Sequence, residues 1–125
     1  MNQKQTLITG ALLGGLGVSI GAFGAHALRD ILIAGGRLDT FELAVRYQFY
    51  HTFAILITGL LMSRYTGKVL GYAALLFLTG IIFFSGSLYA LCFTGQKFFG
   101  AVTPIGGTLF VVAWVLVAIG ISSSK

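Results

Sequence analysis

Charged residues divide the chain into four long apolar runs. Lys4 and Arg29 bound the first, residues 6–28; Arg46 and Arg64 bound a shorter second, 47–62; Lys68 and Lys97 bound the third, 69–93; and the fourth, 98–121, follows Lys97. No Asp, Glu, Lys or Arg interrupts any of them. A helix crosses the bilayer core with about 20 mostly apolar residues at 1.5 Å rise each. An open sheet would leave backbone groups unpaired in lipid. The runs are also too long, and alternate too little, for barrel strands. The pattern predicts an all-α, integral membrane, four-helix up-down bundle. It forms a single domain over 1–125, with helices about 6–28, 40–63, 69–94 and 98–121 and an extramembrane loop about 29–46.

The connections differ in length. Within 29–46 the stretch "DTFE" sets Asp39 three residues before Glu42, a capping-box-like start that places the second helix near Thr40. Glu42 and Arg46 follow with the favourable i,i+4 order. "SRYTGK" (63–68) and "TGQK" (94–97) are tight turns, so the helices they join are expected to be antiparallel. Lys4, the first apolar run and Ala25-His26-Ala27 imitate a signal peptide with its cleavage site. The run is too long and too glycine-rich for a typical apolar signal core, so the first helix is expected to be a retained span.

Composition agrees with the runs. The chain of 125 residues is 57% hydrophobic and only 9% charged, with mean hydropathy +0.95, whereas soluble domains carry about 25% charge. The net charge of +5 comes from basic residues scattered near the ends of the runs. That is an anchoring pattern, with no basic stripe for nucleic acid. The single Cys92 allows no internal disulfide and no multi-cysteine metal site.

Gly10, Gly14, Gly17, Gly21 and Gly24 recur at spacings of 4, 3, 4 and 3, a stripe on one face of the first helix. Small residues let lipid-solvated helices approach closely. The expected partner is the third or fourth helix, with a homo-oligomer contact as the alternative. Gly106 and Gly107 suggest a second close approach.

Chain direction places the other polar residues by depth. Call the face holding residue 1 side A and the face holding 29–46 side B. His26 then ends the first helix at side B, and Tyr47, Tyr50 and His51 enter the second there. Ser85, Ser87, Tyr89 and Cys92 fall in the side-B half of the third, and Thr103, Pro104 and Thr108 in the same half of the fourth. Tyr47, Tyr50, His51, Ala54 and Thr58 share a helical face. Pro104 leaves the Gly100 carbonyl without its donor and is expected to kink or break the helix, with Thr103 and Thr108 at hand for freed backbone. The candidate ligand pocket is therefore His26, Tyr47, Tyr50, His51, Ser85, Ser87, Tyr89, Thr103 and Pro104.

Each of these residues also has a plain structural use. Tyrosines form interfacial belts, serines bond neighbouring helices or their own i−4 carbonyl, and cysteine fills small gaps. Two histidines on adjacent helices suggest haem or a metal, yet they fall short of a zinc tetrahedron and no CxxCH exists. No cofactor is therefore expected. Ser85 or Ser87 with His51 and Glu42 names a hydrolase set that no spacing singles out, so catalysis is not expected.

The stretches "GAFGAH" (21–26), "YQFYHTFAI" (47–55), "FFSGSLYAL" (83–91) and "TPIGGTLFVVAW" (103–114) resemble the small membrane proteins catalogued as domain of unknown function 423. Their eukaryotic relatives are the transmembrane protein 256 group. The stretches occur in the family's order and cover nearly the whole chain. The resemblance implies a four-helix integral membrane protein and supplies no catalytic or ligand assignment. Its matching positions are Gly21, Gly24, His26, Tyr47, Gln48, His51, Ser85, Gly86, Ser87, Tyr89, Thr103, Pro104, Gly106 and Gly107, which overlap the side-B cluster.

The resulting expectation is a non-enzymatic protein of the cell membrane. It binds or moves a lipid headgroup, ion or small solute through a side-B pocket. The alternatives are an accessory subunit of a membrane complex and, third, a haem or metal redox protein. Side A carries Lys4, Arg64, Lys68 and Lys125, and side B carries Arg29, Arg37, Arg46 and Lys97. The basic counts tie, but Asp30, Asp39 and Glu42 all lie on B, which favours cytoplasmic termini.

Overall fold

The structure, a computed structural model, describes residues 1–124. Its described residues form five helices and no strand: α1 (Gln3–Ala25), α2 (Arg29–Ala34), α3 (Leu38–Leu61), α4 (Val69–Thr94) and α5 (Phe98–Ser122). The expected count of four is corrected by α2, which folds inside the predicted loop. Asp30 in its first turn suits the positive end of the helix, and Leu32 is buried beneath it. α1, α4 and α5 are long and apolar enough to cross a membrane. α3 has 24 residues, but the polar positions from Arg46 to Thr52 lower its apolarity.

The helix starts depart from the sequence reading for local reasons. Asn2 caps α1 in a reciprocal box with Gln5: Gln5 N–H donates to Asn2 Oδ1 at 2.9 Å, and Asn2 N–H donates to Gln5 Oε1 at 3.1 Å. α1 therefore begins before the apolar run, and it ends at Ala25, short of Leu28. The capping box expected at Asp39 and Glu42 does not form. α3 starts at Leu38 behind Arg37 with no side-chain cap, and Asp39 lies in its first turn.

The helices pack in sequence, α1 on α3, α3 on α4 and α4 on α5. The glycine stripe of α1 meets α3, not α4 or α5 as expected. A Cβ on Gly10 would collide with Leu56, on Gly17 with Phe49 and on Gly24 with Phe41. Cβ atoms on Gly14 and Gly21 would sit at ordinary contact distance from Thr52 and Val45, 3.7 and 3.5 Å. Gly59 of α3 returns the device, its open face lying under Leu7. Gln3 Nε2 donates to the Gly59 carbonyl at 3.0 Å, so α1 starts where α3 ends. The reason for the changed partner is the connection. With α2 folded within it, residues 26–37 return α3 directly alongside α1, and α3 supplies the large side chains that glycine accommodates.

The α4–α5 contact repeats this device, Gly80 lying under Phe110 and Gly120 under Leu70, and adds a closer approach. A Cβ on Gly106 would strike the backbone N and Cα of Phe84, inside a π-helical turn of α4 (Ile82–Gly86). The core mixes small and large residues: Ala44, Ala73, Ala74 and Ala113 are fully buried, and so are Ile55 and Phe77. Leu12, Leu60, Val111 and Phe98 stand outside with more than half of their surface exposed. That distribution suits a surrounding that is itself apolar.

Candidate functional site

The inward polar side chains first serve to join helices. Gln48 of α3 is 1% exposed, and its amide works in two directions. Nε2 donates to the Leu13 carbonyl of α1 at 3.0 Å, while Oε1 accepts the Tyr89 hydroxyl of α4 at 2.7 Å. Ser85 Oγ, fully buried, donates to the Ala44 carbonyl at 2.7 Å. Ser87 Oγ lies 2.9 Å from the Phe84 carbonyl. It also lies 2.6 Å from Thr103 Oγ1, tying α4 to α5. Each hydroxyl has one hydrogen and a carbonyl of its own helix in reach, Phe84 for Ser87 and Phe99 for Thr103, so either can be the donor between them. Thr52 Oγ1 is the one buried side-chain oxygen or nitrogen without a partner among the described residues.

Between α3 and α5 an aromatic cleft of ≈ 530 Å³ remains open at one side. Tyr47, His51, Phe84, Phe110 and Trp114 form its walls, with Pro104, Gly107 and Thr108 along the α5 edge. Two stacks fix the rings. Tyr47 lies on Phe84 with centroids 4.5 Å apart, and His51 lies on Phe110 at 3.5 Å, inclined by 2°. The Tyr47 carbonyl lies 2.8 Å from His51 Nδ1. A carbonyl only accepts, so Nδ1 carries the hydrogen and a neutral ring presents a lone pair at Nε2. Among the described residues nothing bonds that second nitrogen, and it is not among the enclosed atoms. The cleft thus pairs aromatic walls with one fixed acceptor.

The nine predicted pocket residues divide into three groups. Tyr47, His51 and Pro104 line the cleft. Ser85, Ser87, Tyr89 and Thr103 are occupied in bonds between or within helices. His26 and Tyr50 are exposed. The expected polar layer supplied by all four long helices is corrected on this point. α1 has already ended when the chain reaches His26, whose N–H closes the helix on Ala22 O at 3.1 Å. The histidine then lies beside Ser19 and Phe23 on the outer surface.

Of the kink or break expected at Pro104, the break does not occur, and α5 runs through the proline. Thr103 and Thr108 bond their own i−4 carbonyls, Phe99 and Pro104, not Gly100. Helical threonines reach only their own preceding turn, so Thr108 is too far along the chain to serve Gly100. The irregular turn lies opposite, in α4 at 82–86. π-turns gather at functional sites, and this one carries Phe84 into the cleft wall. Gln48 is the residue that the candidate set missed. Its signal was a lone amide among the aromatics of "YQFYH". Among the described residues, no three of His, Cys, Asp and Glu come together.

An all-helical, apolar chain whose buried amide and hydroxyls join its helices defines a small multi-pass membrane protein. More particularly, the chain belongs to the family described as protein of unknown function (DUF423), whose model matches residues 20–107, as the four stretches implied. It is 45% identical over 116 residues to a UPF0382 membrane protein of Staphylococcus aureus (strain bovine RF122 / ET3-1), covering 93% of each chain. It is 41% identical to a UPF0382 membrane protein of Haemophilus influenzae, covering 99% of this chain and 97% of the relative. It is 35% identical to UPF0382 membrane protein YwdK of Bacillus subtilis, covering 93% and 94%. No solved structure matches.

Proposed function

We propose that the chain crosses the cell membrane as a four-helix up-down bundle, α2 lying outside the crossing, with both termini cytoplasmic. In this reading it is not an enzyme: it holds an amphiphile in the α3–α5 cleft. The observation that carries this is His51, which lines an aromatic cleft, is held by the Tyr47 carbonyl and by Phe110, and keeps Nε2 unbonded among the described residues. Such a site suits a long-chain molecule with a hydroxyl donor at its head, the chain against the rings and a hydroxyl on Nε2.

Trp114, the single tryptophan, lines the same cleft and reports on it. Titrating the full chain in detergent with a monoacylglycerol should give a saturable change in its emission, weakened about tenfold in His51→Phe by loss of one hydrogen bond. A linear change, identical in both proteins, overturns the reading. The accessory-subunit reading would then lead, supported by the number of polar side chains that tie helices together.

A further inference from the structure

A second cleft, of ≈ 290 Å³, opens where α1 ends against the start of α3. Gly21 and Gly24 line it from α1, and Phe41 and Val45 from α3. Three exposed charges from two elements border this one cavity: Arg29 opens α2, and Glu42 and Arg46 lie one turn apart on α3. Charged residues at the ends of apolar runs lie at headgroup depth.

The two signs have different surroundings. Arg29 and Arg46 offer planar donors suited to phosphate oxygens. Glu42 is an anion, and α1 brings its C-terminal, partly negative end to the same cleft with no basic residue in its last turn. A simple anion would gain from the guanidiniums and be repelled by the other two. A group that is phosphate at one end and ammonium at the other satisfies all four. The apolar lining continues from the charges along α1 and α3 and accepts the first carbons of an acyl chain.

We infer that this cleft is a binding site for a phosphoethanolamine group. Arg29 and Arg46 hold the phosphate, and Glu42 with the end of α1 holds the primary ammonium. The chemistry is shared by an ethanolamine phospholipid and by free phosphoethanolamine. The site is separate from the His51 cleft and stands or falls without it.

The experiment compares the full chain in lipid nanodiscs or detergent with its Arg46→Gln and Glu42→Gln variants. Competing probes are an ethanolamine phospholipid, a glycerol phospholipid without the amine, a choline phospholipid and soluble phosphoethanolamine, read by native mass spectrometry and thermal shift. The native chain should retain the ethanolamine lipid in preference to the other two lipids. Arg46→Gln should weaken retention of every phospholipid about tenfold, the worth of one charge-assisted bond. Glu42→Gln should reverse the preference toward the amine-free lipid. Binding of soluble phosphoethanolamine alone assigns the same site to the free compound. Equal retention of all headgroups by the native chain overturns the inference, as does a Glu42→Gln variant with unchanged preference. His51→Phe should leave these results untouched. If Arg46→Gln fails to fold, the Glu42→Gln preference decides alone.

Discussion

The two principal helix contacts share one device and differ in a second. Along α1 and α3 closeness is spread over the helix length, and what fills each glycine gap is a side chain: Leu56, Phe49 or Phe41. Between α4 and α5 side chains fill two such gaps, Phe110 at Gly80 and Leu70 at Gly120, but at Gly106 the gap is filled by the backbone of Phe84. A ring can rotate away from an added methyl group, but backbone in a hydrogen-bonded helix moves only with its neighbours. The same residue type therefore carries unequal weight at the two contacts.

A series of glycine-to-alanine changes separates them, read as unfolding free energies in a single detergent. Gly106→Ala should cost the most, about 3 kcal/mol, the upper range for an overpacked site. Gly17→Ala should cost about 1 kcal/mol as Phe49 shifts. Gly14→Ala should stabilise by about 0.5 kcal/mol, because its Cβ finds ordinary contact at 3.7 Å and alanine favours the helix. A Gly106→Ala cost at or below that of Gly17→Ala would erase the distinction.

Gln48→Leu addresses what spans the two contacts, since one amide ties α1 and α4 through α3. It should lose about 1 kcal/mol, in line with bonds inside membrane bundles. A Tyr89→Phe background should absorb part of that loss, and full additivity in the double-mutant cycle would show the bond to be idle. Smallest is Thr52→Val within the α1–α3 contact. Its hydroxyl is buried without a partner, so its removal should be neutral or stabilising by less than about 0.5 kcal/mol. A clear destabilisation would mean that the hydroxyl has a partner.

What the sequence made legible follows from what apolarity measures. The limits of α4 match the predicted 69–94, and α5 ends one residue beyond the predicted 121. Charges stand close to the ends of both helices. At α1 the apolar run and the helix differ, since Asn2 and Gln5 cap the helix ahead of the run and the chain turns at His26 before it ends. Depth counted along the run placed His26 at the end of α1, where it stands, but carried no information on its outward face. α2 has six residues, too few to build a periodic signal. The glycine stripe announced a close neighbour without naming it. The complementary signal was Phe41, Phe49 and Leu56, spaced by 8 and 7 on α3. The π-turn has no composition of its own and stands where Gly106 presses on Phe84, a product of packing.

The outward placement of several large side chains reaches beyond the chain itself. Leu12, Leu60, Val111 and Phe98 make their widest contacts with whatever surrounds the helices. The surrounding hydrocarbon then behaves as the outermost layer of the core, and its chain length and stiffness act on the protein as a packing substitution would. Changing the amphiphile is, for this chain, a mutation made at many positions at once.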